Sequence, residues 1–321
     1  MMKTQNLVVV HELYPALVEA LSDAFNLTHF TRLVDDQDRA AFEEAMAQAD
    51  AYLGSNVAFT EALLDKAPRL KVVASVSVGV DSYPIEAMRE RGIVLTNTPD
   101  VLTESTADTG FLLLMMAARR AGEMLRKVRD HEWTASLSRE DFGVDVHGKT
   151  LGIVGMGRIG QAVARRGHDG FGMSVNYTNR SAKPEVEAAL DARRVDLETL
   201  FRESDFICVT VPLSAETEGL IGREHFALTR PHAVFVNISR GKVVREDELV
   251  ACLQDGTLHC AGLDVYEREP LSTASPLMTL DNAVCLPHIG SSTFQTRNAM
   301  CDLAVDNVKR VLAGEGAITA V

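Results

Sequence analysis

The sequence predicts an α/β protein of two domains, each built on a parallel β-sheet. Apolar strand patterns alternate with helical patterns along most of the chain, and this alternation is typical of parallel sheets. The length of 321 residues suits about two domains with sizeable cores. A short apolar run, a glycine-rich turn and a helical pattern at residues 151–166 start a second round of the alternation. These observations together predict two successive α/β segments.

The first segment covers residues 1–100. Its predicted strands, all short and rich in apolar residues, are Asn6–Val10, Asn26–Phe30, Ala51–Gly54, Lys71–Ser77 and Ile93–Asn97. Its predicted helices are Pro15–Phe25, Asp38–Ala49, Glu61–Lys66 with Thr60 as N-cap, and Pro84–Arg91. The segment has no glycine-rich phosphate loop, so we do not expect the nucleotide site here.

Two features connect the segments. A long helix is predicted to begin within Pro99–Glu104 and to continue through Ala118; because it is nearly apolar all round, it should be buried between layers or domains. We interpret it as a crossover between the domains. Residues 132–149 follow, with the single tryptophan, Trp133, and are predicted to be an irregular excursion of the kind often used in function or association.

The second segment begins at the glycine-rich turn. Its predicted strands are Leu151–Val154, Met173–Thr178, Asp205–Val211, Ala233–Ser239, Cys260–Val265 and Asn282–Leu286. Its predicted helices are Gln161–Arg166, Asp196–Arg202, His225–Leu228 and Glu246–Gln254.

A final helix is predicted from the caps Ser291–Ser292 to Leu312, and it can return to the first domain. The expected domains are therefore 1–100 plus 291–321 and 101–290, with a cleft between them.

The glycine-rich turn has the pattern G-x-G-x-x-G, at Gly155, Gly157 and Gly160. Between a strand and a helix this pattern is typical of dinucleotide binding. Gly155 permits the tight turn, Gly157 lets the backbone approach a pyrophosphate, and Gly160 lets helix and strand pack closely. The helix N-terminus adds unpaired N–H groups and a positive dipole end. The alternative is a glycine turn that serves packing alone.

The end of the next strand indicates which dinucleotide is bound. An acidic residue normally lies there and bonds the ribose 2′-hydroxyl. This chain has Thr178, Asn179, Arg180 and Ser181 instead, with no carboxylate before Glu185. Arg180 can pair with a 2′-phosphate, and its neighbours can donate hydrogen bonds. We therefore predict NADPH in preference to NADH; the alternative is a surface turn that tolerates both.

Three polar residues follow later strands of the same segment: Arg240, Glu269 and His288. Ligands bind at this edge of a parallel sheet. Singly they could be an ion-pair partner, a loop charge and a structural histidine, but together they match the needs of carbonyl reduction. A histidine can deliver a proton to the carbonyl oxygen, and a neighbouring carboxylate favours its charged form. An arginine can hold a carboxylate and polarise the adjacent keto group.

Composition and charge argue against several other classes of protein. A net charge of −13 disfavours nucleic acid and anionic membrane surfaces as partners. No apolar stretch reaches the roughly eighteen residues of a membrane span, and the N-terminus does not read as a signal peptide. The five cysteines form no CxxC pair, which argues against disulfides or structural zinc and for a reducing compartment. We expect a cytoplasmic protein without a metal site.

The chain resembles the D-isomer-specific 2-hydroxyacid dehydrogenase family, particularly its glyoxylate/hydroxypyruvate reductases and 2-ketogluconate reductases. The matching segments, spread over essentially the whole chain, are Ser77–Asp81, Thr98–Thr109, Gly148–Gly160, Asn237–Gly241, Ala261–Pro270 and Leu286–Thr293. The resemblance implies two Rossmann-like or flavodoxin-like domains with an interdomain cleft. It also implies reduction of small anionic 2-ketoacids (glyoxylate, hydroxypyruvate and, as a longer substrate, 2-keto-D-gluconate) by a homodimer in which the excursion near Trp133 reaches toward the partner.

The resemblance assigns roles to particular residues. It implies that His288 is the proton donor, Glu269 its partner and Arg240 the substrate anchor. The implied substrate-binding residues are Ser77, the backbone amides of Val78 and Gly79, Arg240, His288 and Ser291. The implied cofactor-binding residues are Thr106, Gly155, Gly157, Arg158, Ile159, Gly160, Thr178, Asn179, Arg180, Ser181, Val211, Pro212, Thr217, Ile238, Ser239, Arg240, Asp264, His288 and Gly290.

Some residues depart from the family pattern. Val80, Phe142 and Phe294 replace residues that relatives often have near the expected substrate pocket, which leaves the choice among 2-ketoacids open. Arg245 replaces a common acidic or amide residue, with no catalytic consequence expected. Two other functions stay open at this point: an NAD-dependent dehydrogenase that oxidises a D-2-hydroxyacid, and a nucleotide-sensing binding protein resembling transcriptional corepressors.

Overall fold

The computed structural model describes residues 4–55 and 57–321, which fold into two compact units. Unit 1 comprises the described residues up to Leu102 together with Ser292–Val321, and unit 2 comprises Thr103–Ser291. Both contain parallel strands alternating with helices, so the predicted α/β fold class is confirmed.

The first part of unit 1 alternates strands and helices from its first described strand onward. Its elements are β1 (Asn6–Val10), α1 (Pro15–Ala24), β2 (Asn26–Phe30), α2 (Asp36–Met46), β3 (Ala51–Gly54), α3 (Glu61–Asp65), β4 (Val72–Ser75), α4 (Ile85–Glu90) and β5 (Val94–Thr96).

Unit 2 contains two helices, then a longer alternation. Its elements are α5 (Thr103–Ala118), α6 (Ala121–Arg129), β6 (Thr150–Val154), α7 (Arg158–Arg165), β7 (Ser174–Thr178), α8 (Pro184–Leu190), β8 (Arg193–Arg194), α9 (Leu197–Glu203), β9 (Phe206–Val209), α10 (Arg223–Phe226), β10 (Val234–Asn237), α11 (Glu246–Gln254), β11 (Cys260–Leu263) and β12 (Ala283–Cys285). The last helix, α12 (Phe294–Leu312), belongs to unit 1.

The sheet of unit 1 has the order β2-β1-β3-β4-β5, with every neighbouring pair parallel. This is the flavodoxin-like order, with its switch point between β1 and β3. Helix α12 packs against β3 and β4. Its buried Asn307 accepts hydrogen bonds from the N–H groups of Ile318 and Thr319, which fastens the C-terminal segment to this unit.

The sheet of unit 2 has the order β12-β11-β10-β9-β6-β7-β8, again entirely parallel. This is the Rossmann order with one further strand, and its switch point lies between β6 and β9. Ligands of such sheets bind beyond the carboxyl ends of the strands at the switch point. The glycine motif follows β6, so the topology places it there.

Several helix boundaries differ from the sequence expectations, and those of α7 and α12 differ at the helix cap. Helix α5 begins at Thr103, inside the predicted segment Pro99–Glu104 and after the turn at Asp100, which has φ +69°. Helix α7 begins at Arg158 with Gly157 as its cap, three residues earlier than predicted. The cap of α12 is Thr293, whose side chain accepts from the N–H of Thr296, rather than Ser291–Ser292.

The apolar helix α5 is buried on most of its surface, as expected. It packs against β10 and β11 on one side and α7 on another. Its outward face carries Glu104, Asp108 and Leu112, the last 46% exposed. Helix α8 and the two-residue strand β8 had no counterpart in the sequence prediction.

The five cysteines are free thiols, and four of them are buried. Burial raises the pKa of the Cys208 thiol to about 12 and that of Cys260 to about 11. Across the described residues, no helix has the length and apolar character needed to cross a membrane.

Candidate functional site

The glycine motif forms a turn in which two glycines are required by their surroundings. Gly155 has φ +100°, and a Cβ there would lie 2.7 Å from Cγ1 of Val211. A Cβ at Gly160 would lie 2.2 Å from the carbonyl oxygen of Gly155. The hydroxyl of Thr210, after β9, donates to the same carbonyl oxygen at 2.6 Å. The turn is therefore held against the end of β9, at the switch point.

Gly157 has a different environment. A Cβ built on it would meet nothing within 4 Å, and its φ of −78° suits any residue. It is exposed at the N-terminus of α7. The open approach and the positive helix end together fit a dinucleotide pyrophosphate.

The end of β7 lies beside the glycine turn, since the N–H of Gly155 donates to the carbonyl of Thr178 at 2.9 Å. Thr178 and Asn179 are half-buried, whereas Arg180 and Ser181 are exposed. The side-chain amide of Asn179 donates to the carbonyl of Ser181 at 2.9 Å, which closes a short turn. The four residues thus form one compact turn without a carboxylate.

Arg240 follows β10 in a segment fixed by Asn237. The Asn237 amide oxygen accepts from the N–H and hydroxyl of Ser239, at 3.0 and 2.8 Å, and its amide nitrogen donates to the carbonyl of Arg240 at 3.0 Å. A Cβ at Gly241 would lie 1.8 Å from the carbonyl carbon of Tyr266, so the chain passes close to the segment after β11. The role of Asn237 was not predicted from the sequence, although an Asn just before a turn is a recognisable signal.

His288 and Glu269 form a hydrogen-bonded pair, with 2.7 Å between Nδ1 and Oε2. The side chain of His288 is 47% exposed and that of Glu269 is 35% exposed. Burial acts to raise the pKa of the Glu269 carboxyl, but the hydrogen bond and charge of His288, the N–H of Tyr266 and the charge of Arg240 outweigh it and hold this pKa below its usual value. Glu269 is thus hydrogen-bonded to His288, and the charge of Arg240 also acts on it.

Asp264 holds the backbone on which His288 sits. Its buried carboxylate accepts from the N–H groups of Ile289 at 2.7 Å and Gly290 at 2.8 Å. His288 itself has φ +55°, a conformation that non-glycine residues adopt at a cost. Burial raises the pKa of Asp264, and the two N–H groups act against that rise. Asp264 therefore fixes the orientation from which the imidazole projects.

Tyr266 is a second supporting residue, and its role was not predicted from the sequence. Its hydroxyl donates to the carbonyl of Leu286 at 2.8 Å and lies 3.2 Å from that of Leu263. Its N–H donates to Glu269 at 3.1 Å. Tyr266 consequently links the ends of β11 and β12 to the carboxylate that pairs with His288.

The remaining predicted cofactor residues of unit 2 surround the same edge of the sheet. Ser105 donates to the carbonyl of Gly290 at 2.9 Å, and a Cβ at Gly290 would lie 3.3 Å from Thr106. Thr217 donates to the carbonyl of Pro212 at 2.6 Å and closes the loop after β9. Ile238 packs against Gly110 of α5, and Val211 packs against Gly155. Ser291, which was predicted to bind substrate rather than cofactor, is the last residue of unit 2.

The predicted substrate loop, Ser77–Gly79, lies in unit 1 after β4. The carbonyl of Ser77 accepts from the N–H of Thr98 at 2.9 Å, and that of Val78 accepts from the side chain of Asn97 at 3.0 Å. In a trans peptide the N–H of the next residue points the opposite way. The N–H groups of Val78 and Gly79 are therefore directed away from these partners, as an anion-binding loop requires.

Several known proteins are similar to this chain in sequence. A family model described as "D-isomer specific 2-hydroxyacid dehydrogenase, NAD binding domain" matches residues 111–290. A glyoxylate/hydroxypyruvate reductase B of Klebsiella pneumoniae subsp. pneumoniae is 47% identical over 298 residues, covering 93% of this chain and 92% of that protein.

Two solved structures are similar over nearly the whole chain. A protein of Thermus thermophilus has a TM-score of 0.90 and 38% identity, covering 98% of this chain and 99% of its own. An NADPH-dependent glyoxylate/hydroxypyruvate reductase of Sinorhizobium meliloti, solved with NADP and malonate, has a TM-score of 0.84 and 33% identity, covering 99% and 96%.

The surroundings of Gly157 and Gly160 predict different effects of the same change, glycine to alanine, at the two positions. Gly157→Ala meets no atom, so it should cost less than about 1 kcal/mol of stability yet weaken dinucleotide binding more than about tenfold. Gly160→Ala meets a backbone carbonyl and should lower the melting temperature clearly. Thermal unfolding and cofactor titration of both variants measure this. Unchanged cofactor affinity in Gly157→Ala would contradict the assignment of the pyrophosphate to the open side of this turn.

Proposed function

The chain belongs to the D-isomer-specific 2-hydroxyacid dehydrogenase family, and we propose that it is an NADPH-dependent reductase of small 2-ketoacids. It is an oxidoreductase whose larger unit carries the nicotinamide-dinucleotide-binding domain of that family. The proposed substrates are glyoxylate, hydroxypyruvate and 2-keto-D-gluconate, and the products are the corresponding D-2-hydroxyacids. The observation that carries the proposal is the His288–Glu269 pair beside Arg240, at the sheet edge that holds the glycine motif.

His288 is suited to deliver a proton because its two ring nitrogens have separate tasks. Nδ1 is engaged by Glu269 at 2.7 Å, which leaves Nε2 to face a substrate. The carboxylate orients the ring and favours a proton at Nδ1, so a second proton at Nε2 can pass to the keto oxygen. When bound, a reduced nicotinamide supplies the hydride for the carbonyl carbon.

We propose that Arg240 in unit 2 and the loop after β4 in unit 1 each carry donors suited to an anionic substrate. The Arg240 guanidinium can bond a carboxylate in a bidentate manner and polarise the neighbouring keto oxygen. In unit 1, the N–H groups of Val78 and Gly79 are two donors of the kind that suits a carboxylate. We propose that these groups overcome locally the net charge of −13, which would otherwise repel the substrate.

The preference for NADPH rests on the turn after β7. Its four residues include no carboxylate that would repel a 2′-phosphate, and Arg180 is exposed beside the glycine motif. The first acidic residue, Glu185, lies exposed in the first turn of α8. We assign the pyrophosphate to Gly157, Arg158 and Ile159 at the start of α7.

We also propose that the protein is a homodimer that associates through α6 and the excursion after it. Helix α6 has no buried residue, and its apolar side chains Leu125 and Val128 are 49% and 54% exposed. Trp133 and Phe142 in the excursion are 63% and 59% exposed. Apolar side chains grouped this way are typical of a protein–protein interface.

The substrate and cofactor assignment predicts a specific activity profile. NADPH oxidation should be rapid with glyoxylate and hydroxypyruvate, and the kcat/KM for NADPH should exceed that for NADH by about tenfold or more, since a charge-assisted pair with the 2′-phosphate contributes on the order of 2 kcal/mol. Steady-state assays with both cofactors, including pyruvate and 2-keto-D-gluconate, measure this. A higher kcat/KM with NADH would contradict the cofactor assignment.

Replacing the proton donor should separate turnover from binding. His288→Ala should lower kcat on the order of a thousandfold, because general acid catalysis contributes about that much. Cofactor affinity, measured by titration without substrate, should stay close to that of the wild type. If His288→Ala retains most of the wild-type kcat, another group must donate the proton.

The low pKa of Glu269 predicts a pH dependence. Glu269→Gln should reduce kcat/KM at least about tenfold, since a hydrogen bond to a charged group is lost. A carboxyl with a lowered pKa stays ionised as the pH falls and loses its charge only below the usual glutamate range. The carboxyl resonance of Glu269 in 13C-labelled protein, identified by its absence in Glu269→Gln, should thus show no titration from neutral pH to about pH 5. A resonance that already titrates over this range would show that burial dominates the carboxyl.

The dimer is tested by charge insertion on α6. Val128→Glu should shift the protein from dimer to monomer in sedimentation velocity, because a carboxylate would be buried in the interface. Lys309→Glu changes the charge at an exposed position of α12, outside α6 and the excursion, and serves as the control. A wild-type monomer, or a Val128→Glu dimer of wild-type affinity, would contradict this interface.

A further inference from the structure

We propose that Arg194 of strand β8 positions the turn after β7 so that its backbone, together with Arg180, recognises the 2′-phosphate of NADPH. The inference rests on the NADPH dependence proposed above and identifies a residue that the sequence analysis did not consider. It follows from three hydrogen bonds, from the planarity of two peptide bonds and from the alternation of side chains along β8.

Arg194 binds the turn with a fork of donors. Its Nη2 donates to the carbonyl oxygens of Asn179 at 2.9 Å and Arg180 at 3.0 Å, and its Nε lies 3.2 Å from the carbonyl oxygen of Asn179. One guanidinium thus holds two successive carbonyl groups. Such planar, multiple donation is a property of arginine that lysine lacks.

The fork determines where the N–H groups of the turn point. The only cis bond among the described residues is Glu269–Pro270, so both peptide units of the turn are trans. In a trans unit the N–H points opposite to the carbonyl of the preceding residue. The N–H groups of Arg180 and Ser181 are consequently directed away from Arg194, and no hydrogen bond of the described residues uses either as a donor. Two successive free N–H groups form an anion-binding concavity.

The position of Arg194 follows from the short strand β8. Tyr177 of β7 pairs with Arg194, and Asn176 pairs with Arg193. Because side chains alternate along a strand, the two arginines leave it on opposite faces. Arg193 indeed contacts Asn176 at 3.3 Å and pairs with Glu203, away from the turn. Arg193 therefore offers a matched control with the same charge and nearly the same location.

The arrangement gives Arg194 a role distinct from that of Arg180. The Arg180 side chain is the group that can pair directly with a phosphate, whereas the Arg194 guanidinium is engaged by carbonyl groups. Arg194 also adds a positive charge on the side of the turn opposite to the phosphate. We therefore call Arg194 a positioning residue, and its effect should depend on the 2′-phosphate.

Binding without turnover tests the proposal. Adenosine 2′,5′-bisphosphate and adenosine 5′-phosphate are titrated calorimetrically into the wild type and into Arg194→Ala, Arg194→Lys and Arg193→Ala. In Arg194→Ala the bisphosphate should bind about tenfold more weakly, the loss expected when hydrogen bonds to a charged group are disordered, while the monophosphate affinity stays unchanged. Arg194→Lys should show most of the same loss, and Arg193→Ala should keep the wild-type ratio of affinities.

Each contrary outcome has a separate meaning. If the wild type does not favour the bisphosphate, the proposed NADPH dependence fails and this inference fails with it. If the wild type discriminates and Arg194→Ala does so equally, only the role of Arg194 is overturned. Arg194→Lys could keep the wild-type ratio of bisphosphate to monophosphate affinity, or Arg193→Ala could lose as much bisphosphate affinity as Arg194→Ala. Either result would show that charge alone acts, and the role of the multiple hydrogen bonds of Arg194 would then be wrong. Equal weakening of both ligands, with a lower melting temperature, would assign Arg194 a structural role only.

Discussion

Parallel hydrogen bonding in the sheet of unit 2 is the constraint on which the candidate site depends. Registers continue across the sheet from Thr178 to Val154, Val209, Asn237, Leu263 and Cys285, so these strand ends form one row. The glycine turn, Arg240, Glu269 and His288 all follow members of this row within a few residues. The sheet therefore brings residues that are far apart in sequence to one edge. Contacts among these site residues are not needed to stabilise the fold.

Beyond this row, orientation is set by side chains that bind the backbone of the following turn. Asp264 accepts from the two N–H groups that follow His288. Asn237 accepts from the N–H of Ser239 and donates to the carbonyl of Arg240. Asn97 donates to a carbonyl of the loop after β4. Arg194 does the same after β7. Because each peptide unit is planar, fixing one polar group aims the other. This explains how loops without regular structure can present donors in defined directions.

The strands and the three charged site residues could be predicted from the sequence because both follow local rules. Apolar runs mark buried parallel strands, and polar residues directly after such runs lie at one edge of the sheet. The strands β1, β2 and β3 and the helix α11 have the predicted bounds. The glycine motif likewise has the turn geometry that its spacing predicts.

Other features could not be predicted because tertiary contacts determine them. Strand β8 has two arginines and no apolar pattern, and it is a strand only through its pairing with β7. The left-handed backbone of His288 depends on Asp264, which lies 24 residues earlier in the sequence. Thr293 caps α12 because its hydroxyl reaches the N–H of Thr296, although two serines precede it.

The central claim, that this site transfers hydride to a 2-ketoacid, is tested most directly by following the transferred atom. Hydroxypyruvate is reduced with NADPH carrying deuterium at both C4 positions, and the glycerate formed is analysed by mass spectrometry and chiral chromatography. The account predicts D-glycerate with one deuterium at C2. A product without deuterium at C2, or L-glycerate, would contradict it.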